Sequence, residues 1–238
     1  MIPISDDVRT RHFPIVTILL ILVNSAIFFM EVLLGPHADH LIRTFGFTPA
    51  QIVTAWYNPL VPLTLITAMY LHGGWAHLIG NMLYLWIFGN NVEDRMGPVR
   101  FFLFYTLSGI LAGLAETLAA PTSMTPGIGA SGAIAGVLGA YLLLYPRARV
   151  QVLLPLPFWF MTFSVPSILV LGGWFVMQLF NGLIALDVTA QTGGVAWWAH
   201  IGGFVAGMLL LPLFRQKRLS AYSYDDRSYY DRYDGHPW

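Results

Sequence analysis

The chain alternates long apolar stretches with short polar ones. A helix that spans a bilayer needs about 20 predominantly apolar residues, and six stretches reach or approach that length. They cover about residues 13–34, 76–92, 99–120, 128–145, 158–186 and 195–214. A further apolar stretch, 60–71, is short and proline-containing, which predicts a loop in or on the membrane surface. The pattern therefore predicts an all-α, polytopic membrane protein with six membrane-spanning helices.

Composition and charge support a lipid environment. Hydrophobic residues make up 56% of the 238 residues and charged residues only 10%, whereas about 25% of a typical soluble domain is charged. The 12 basic and 12 acidic residues cancel, and since phosphate binding needs a basic excess, no nucleic acid partner is expected. The chain has no Cys, which excludes disulfides, thiolate metal sites and a cysteine nucleophile. No Gly-rich phosphate-binding motif is present, so no nucleotide is expected.

The basic residues are distributed unevenly about the predicted spans. With six spans both termini lie on one side of the membrane, and that side holds every Lys and Arg except Arg43. Because cytoplasmic loops of membrane proteins carry the excess of Lys and Arg, both termini are predicted to be cytoplasmic. Residues 1–214 thus form the membrane domain. The polar, Tyr-rich segment 215–238 is predicted to be a disordered cytoplasmic tail.

Polar side chains stand near the outer ends of three predicted spans. His77 and Asn81 open the second span, four residues apart, and so share one face of a helix. Ser131 lies in the Gly-rich start of the fourth span, and His200 lies near the start of the sixth. Because these three spans run in the same direction, the four side chains are expected at one depth. Polar groups are costly in hydrocarbon, so their convergence indicates a functional site.

Small residues at four-residue intervals predict close contact between the fourth and sixth spans. They are Gly132, Ala135, Gly136 and Gly139 in the fourth span and Ala199, Gly203 and Gly207 in the sixth. Facing stripes would bring Ser131 within hydrogen-bonding range of His200, whose imidazole can take the hydroxyl proton and return it to a leaving amine. His77 and Asn81 can then donate hydrogen bonds to the oxyanion. Since no acidic residue lies in the first turns of these spans, the pattern predicts a Ser–His dyad without a carboxylate.

Four short motifs surround these candidate residues. They are Gly129-Ala130-Ser131-Gly132, the HGGWAHLIGN segment from His72 to Asn81, Glu93-Asp94-Arg95-Met96-Gly97, and Ala199-His200-Ile201-Gly202-Gly203. In this combination the sequence resembles the rhomboid family of intramembrane serine proteases, over about residues 1–214. The resemblance implies a six-helix bundle with an active site that opens to an aqueous cavity on the outer side. It also implies that Ser131 is the nucleophile, that His200 is the general base and acid, and that His77 and Asn81 stabilise the oxyanion.

The resemblance further implies a reaction and its partners. The reaction would be hydrolysis of peptide bonds in or next to transmembrane helices of other membrane proteins, without a metal or an organic cofactor. The expected partners are the lipid bilayer and transmembrane protein substrates, and the expected location is the bacterial inner membrane. Several family members place an aromatic residue beneath the histidine, four residues after the serine, where this chain has Ala135. His200 is therefore expected to be oriented by another group, such as an aromatic residue of a neighbouring helix.

Other interpretations fit these residues less well. A catalytically silent rhomboid-like protein would bind transmembrane helices without cleaving them, but such relatives usually lack the serine or the histidine. A channel or transporter would show charged pathway residues, whereas the ionisable residues well inside the spans, histidines apart, are Glu31 and Glu116, both near outer ends. The missing HExxH motif argues against a zinc protease. Ser131 alone would more often be a packing residue, but four polar positions at one depth favour the protease.

Overall fold

The computed structural model describes residues 2–156, 159–187 and 195–216. Its elements in chain order are β1 (Ile2–Asp6), α1 (Ile15–Leu34), α2 (Ala38–Phe45), α3 (Pro49–Thr54), α4 (Leu60–Thr67), α5 (Trp75–Tyr84), α6 (Asn90–Met96), α7 (Pro98–Ala119), α8 (Ser131–Leu144), β2 (Arg149–Pro155), β3 (Phe160–Pro166), α9 (Ser167–Asp187) and α10 (Trp197–Phe214). A π-helical turn, Leu85–Gly89, joins α5 to α6. The described chain is thus mostly helical, as predicted. Of the predicted tail, only residues 215 and 216 fall within the described residues.

Four helical runs of the described chain are long and apolar enough to cross a membrane. They are the run that begins with α1, and the helices α7, α9 and α10. The second predicted span corresponds to α5, the π turn and α6 in direct succession. The fourth corresponds to α8, which has only 14 residues and is buried from Gly132 to Tyr141. Four of the six predicted spans are therefore confirmed by length and composition, and the count of six stays a prediction.

The prediction of an all-α protein is wrong in one respect. Within the described residues, three antiparallel strands form a sheet in the order β1-β2-β3. Strand β3, Phe160–Pro166, occupies the start of the predicted fifth span, 158–186, and helix α9 begins only at Ser167; residue 158 lies outside the described residues. Aromatic and β-branched side chains favour a strand, and the residue before Pro166 disfavours the helical conformation. The helix therefore starts after this proline.

The segment 60–71 is helical, not the predicted loop. It forms α4, followed by a 3-10 turn at Ala68–Tyr70. Leu65 and Ala68 pack with Phe47 in a small second core. Pro59 and Pro62 precede or enter the first turn of α4, where a missing backbone N–H breaks no intrahelical hydrogen bond. These prolines therefore mark the start of a short helix.

Small residues hold α8 directly against α10. A Cβ atom added to Gly207 would lie 1.9 Å from the carbonyl oxygen of Gly136, and one added to Gly203 would lie 2.1 Å from that of Gly132. The two backbones are therefore in contact along facing small-residue stripes, which confirms the sequence prediction. This contact places the first residue of α8, Ser131, beside the first turn of α10.

Glu93, from the Glu-Asp-Arg-Met-Gly motif, caps the start of α1. Its carboxylate accepts hydrogen bonds from the backbone N–H groups of Val16 and Thr17 at 2.9 and 2.8 Å, and from the Thr17 hydroxyl at 2.8 Å. The first N–H groups of a helix lack intrahelical partners and carry partial positive charge. A carboxylate therefore stabilises this end, and the motif ties α6 to α1.

Asp6 anchors the sheet to the helices. Its carboxylate accepts hydrogen bonds from the hydroxyl of Tyr141 in α8 and, at 2.7 Å, from Asn91 Nδ2 in α6. Burial raises the pKa of Asp6 to about 6; the hydrogen bond from Tyr141 opposes the increase, and the neighbouring charge of Asp7 adds to it. The sheet is thus attached to the same helix that begins with Ser131.

Candidate active site

Ser131 and His200 meet at the starts of two adjacent helices. Ser131 is the first residue of α8, and His200 lies in the first turn of α10. The Oγ atom of Ser131 is 2.8 Å from Nε2 of His200. This separation is within the range in which a general base takes the proton of a nucleophile. The predicted pair is therefore within hydrogen-bonding distance.

The second ring nitrogen of His200 contacts a side chain that was not among the predicted site residues. His200 Nδ1 is 2.8 Å from Oε1 of Gln178, a residue of α9 that is only 3% exposed. An amide oxygen only accepts hydrogen bonds, so we assign the hydrogen to Nδ1 and the lone pair to Nε2, which faces Ser131. Gln178 was not predicted because it lies in the middle of the fifth span, away from the outer ends where the candidate residues of the other spans lie. An amide amid the apolar residues of a span was nevertheless a signal.

Aromatic rings border the imidazole of His200. The ring of Trp174, one turn before Gln178 on α9, has its centroid 5.8 Å from that of His200, at an interplanar angle of 38°. Trp197 meets the same imidazole edge-on at 6.4 Å. Trp174 is thus an aromatic residue of a neighbouring helix, as expected from the alanine at position 135.

His77 and Asn81 project from α5 toward the loop that precedes Ser131. A Cβ atom added to Gly129 would lie 2.6 Å from His77 Nε2 and 3.7 Å from Asn81 Nδ2. Gly129 has φ +116°, a conformation that glycine adopts readily and other residues avoid. The glycine therefore lets the chain pass directly against both side chains two residues before the candidate nucleophile.

Both side chains have a hydrogen-bond donor available at this place. The N–H of Gly73 donates to His77 Nδ1 over 3.4 Å, which leaves the ring hydrogen on Nε2, close to Gly129. Asn81 Nδ2 is buried and has no hydrogen-bond partner among the described residues. A buried donor without a partner is unfavourable, and an oxygen atom placed here would relieve that cost.

The two acidic residues inside the predicted spans hold backbone near the site. Glu116 of α7 accepts the N–H of Ala199, the residue before His200, at 2.9 Å. The Glu31 carboxylate of α1 accepts the N–H of His72 at 3.3 Å. Glu116 thus fixes the segment that carries His200, and Glu31 fixes His72, which packs beside His77. The sequence alone did not assign these roles.

His72 packs against His77 at the edge of the site. The two ring centroids are 5.1 Å apart. Burial lowers the pKa of His72 to about 4, and the neighbouring His77 adds to the shift. His72 is therefore neutral at physiological pH. Within the described ranges, no group of three or more His, Cys, Asp or Glu side chains is arranged to hold a metal ion.

Comparison with known proteins gives one consistent result. The family model described as Rhomboid domain matches residues 59–217. Among curated relatives, Rhomboid protein 1, mitochondrial, of Saccharomyces cerevisiae is 30% identical over 170 residues, which are 67% of this chain and 46% of the relative. Two Bacillus subtilis proteins, Putative rhomboid protease YdcA and Rhomboid protease GluP, are 32% and 36% identical over 134 and 132 residues. Those matches cover 56% and 54% of this chain, and 63% and 24% of the relatives. The chain thus spans less than two thirds of each relative.

Proposed function

The chain belongs to the rhomboid family of integral membrane proteins, and on that premise we propose that it is an intramembrane serine endopeptidase. It hydrolyses peptide bonds in or next to transmembrane helices of other membrane proteins. The observation that carries this proposal is the 2.8 Å separation of Ser131 Oγ and His200 Nε2. In the assigned tautomer, this nitrogen is ready to accept the hydroxyl proton.

The proposed reaction proceeds in two stages on the dyad. Ser131 Oγ attacks the carbonyl carbon of the scissile bond while His200 Nε2 takes the hydroxyl proton. The C–N bond then breaks as the imidazolium returns that proton to the leaving amine, and an acyl-enzyme remains. A water molecule attacks the ester with the same imidazole as base, which releases the acid and restores Ser131.

The negative charge that develops on the carbonyl oxygen needs donors. His77 Nε2–H and Asn81 Nδ2 are assigned this role, because both lie beside Gly129, two residues before the nucleophile. Backbone N–H groups near the start of α8 add to the set, since the first turn of a helix leaves its N–H groups unpaired. Removing one such donor commonly lowers the rate by about 10²–10³.

The proposed topology has six spans with both termini in the cytoplasm of a bacterial cell, in its inner membrane. It places the first turns of α8 and α10 near the outer surface, where hydrolytic water is available. A substrate helix has its carbonyl groups bonded internally, so it must unwind locally before attack. Substrates with helix-breaking residues and a small side chain before the scissile bond are therefore expected.

The test uses the full chain in liposomes with a model single-span substrate. The wild type should cleave the substrate and react with a fluorophosphonate probe, whereas Ser131→Ala and His200→Ala should do neither. Ser164→Ala is the matched control, since this serine lies in β3, near the other end of α8, and cleavage should persist. Cleavage by Ser131→Ala would refute the nucleophile assignment. A wild type that binds substrate without cleavage or labelling would be a silent rhomboid-like protein.

A further inference from the structure

We propose that Gln178 is a positioning residue that holds His200 in the one tautomer able to accept the proton of Ser131. The proposal rests on the proposed protease function, and it adds a third side chain to the dyad. Its basis is the bond between Gln178 Oε1 and His200 Nδ1 at 2.8 Å, on the side of the ring opposite Ser131.

The hydrogen-bond chain has a single productive direction. With the amide oxygen as acceptor, Nδ1 of His200 carries the ring hydrogen and Nε2 offers a lone pair to the hydroxyl of Ser131. In the other tautomer Nε2 carries the hydrogen and donates to Oγ, so it cannot take up the proton. The orientation of one amide group therefore selects the reactive form of the base.

The packing around Gln178 keeps this amide in place. Trp174 and Gln178 are one turn apart on α9, and they face His200 and Phe204, one turn apart on α10. Phe175 stacks on Phe204 with centroids 4.6 Å apart. Since Gln178 is only 3% exposed, its amide oxygen has little access to water and would lose its partner if the imidazole turned away. Both helices thus favour the observed bond.

A neutral amide does part of what a carboxylate does in a catalytic triad. A carboxylate orients the imidazole and also stabilises the imidazolium that forms during the reaction. An amide oxygen orients the ring, but it carries no charge to stabilise the cation. Gln178→Glu adds this charge at nearly constant shape. If residue 178 contacts the imidazole as proposed, the added charge changes the pH dependence of the reaction, whereas a residue that only packs would not.

The first readout is the tautomer itself, which does not depend on turnover. The full chain with ¹⁵N-labelled histidine is studied by NMR in nanodiscs, and the His200 signals are assigned with His200→Ala. The wild type should show the hydrogen on Nδ1, and Gln178→Leu should show a marked shift toward hydrogen on Nε2. An unchanged tautomer in Gln178→Leu would overturn the proposal, even for a chain that cleaves nothing.

The second readout is kinetic. Gln178→Leu should lower kcat at least about 10-fold with little change in KM, because only the reacting state of the base is affected. Gln178→Glu should retain activity, and the acid limb of its kcat profile should move to higher pH, since the carboxylate stabilises the imidazolium. Asn181→Leu, which removes another amide from α9, is the control and should behave like the wild type.

The outcomes separate this proposal from the proposed function. A wild type without Ser131-dependent cleavage defeats the protease assignment, and the NMR experiment then still decides the tautomer. An active wild type with an equally active Gln178→Leu variant overturns the positioning role alone. If Gln178→Leu does not fold, the pH profile of Gln178→Glu decides, and a profile identical to that of the wild type counts against the proposal.

Discussion

Gly129 lies directly against the imidazole of His77, so the loop that leads to Ser131 and the helix that carries the candidate oxyanion donors form one surface. A Cβ atom at Gly129 would stand 2.6 Å from Nε2 and 2.7 Å from Cε1 of that ring. The backbone there has φ +116°, which a side chain disfavours independently of the contact. Two separate physical constraints thus require glycine at this position.

Gly129→Ala is therefore expected to lose most of its cleavage activity. The added methyl group must push His77 away or move the loop, and either shift separates the donors from the nucleophile. The measurement is kcat/KM on a single-span substrate in liposomes. Gly80→Ala is the control, because an added Cβ there meets nothing within 4 Å, and it should keep wild-type activity. A fully active Gly129→Ala variant would contradict the proposed arrangement.

Asn81→Ala should lower kcat by about 10²–10³ and leave residual activity. Because Asn81 Nδ2 has no hydrogen-bond partner among the described residues, its loss should change the thermal unfolding midpoint little. Asn24→Ala should behave in the opposite way, since Asn24 Nδ2 donates to the Leu20 carbonyl at 2.7 Å inside α1. That variant should lose stability and keep its kcat. An unchanged rate in Asn81→Ala would remove this residue from the oxyanion site.

The contact between Ser131 and His200 could be predicted because it depends on patterns that are visible in the sequence. The four-residue spacing of small residues determines which faces of α8 and α10 can touch, and the order of apolar stretches determines which helices run the same way. Burial of polar side chains in lipid is rare enough to mark His77 and Asn81. Their positions follow from periodicity and direction without knowledge of tertiary contacts.

Gln178 and strand β3 could not be predicted in the same way. Gln178 and Asn181 look alike in the sequence, as two amides in one apolar run, and only the packing of α9 on α10 decides which of them faces His200. The hydrophobic pattern of residues 160–166 alone does not distinguish a helix from a strand, because the segment is short and continues directly into the apolar residues of α9. The segment forms a strand because β2 pairs with it along the full length of β3, from Arg149 opposite Pro166 to Pro155 opposite Phe160.

Gly207→Ala should destabilise the fold and inactivate the protein together. Its Cβ would lie 1.9 Å from the carbonyl oxygen of Gly136 and 2.6 Å from its Cα, and backbone atoms cannot rotate away as side chains do. The helices α8 and α10 must then separate, at a cost of about 1–3 kcal/mol, with Ser131 drawn away from His200. Gly173→Ala, with nothing within 4 Å of its Cβ, should be as stable as the wild type. Equal thermal midpoints for both variants would contradict the close helix contact.

Asp6 should make stability depend on pH between about 4 and 6. Burial raises the pKa of Asp6 from 3.8 to about 6 in the folded chain, so in this interval the folded state binds a proton that the unfolded state has released. The contribution of Asp6 to the stability of the folded state is fully present below pH 3.8 and is lost as the pH rises through 6. Since the group is partly exposed, solvent screening limits the effect to about 1–2 kcal/mol.

Asp6→Asn removes this titration while it keeps the shape of the side chain. Relative to the wild type, the variant should gain about 1–2 kcal/mol of stability between pH 4.5 and 7.5, because only the wild type acquires a buried charge. Thermal unfolding followed by circular dichroism in detergent measures the difference at each pH. Asp39→Asn, an exposed position in α2, is the matched control for the same chemical change away from the sheet. A difference between Asp6→Asn and wild type that stays constant with pH would show that burial does not raise the pKa of Asp6 in the folded chain.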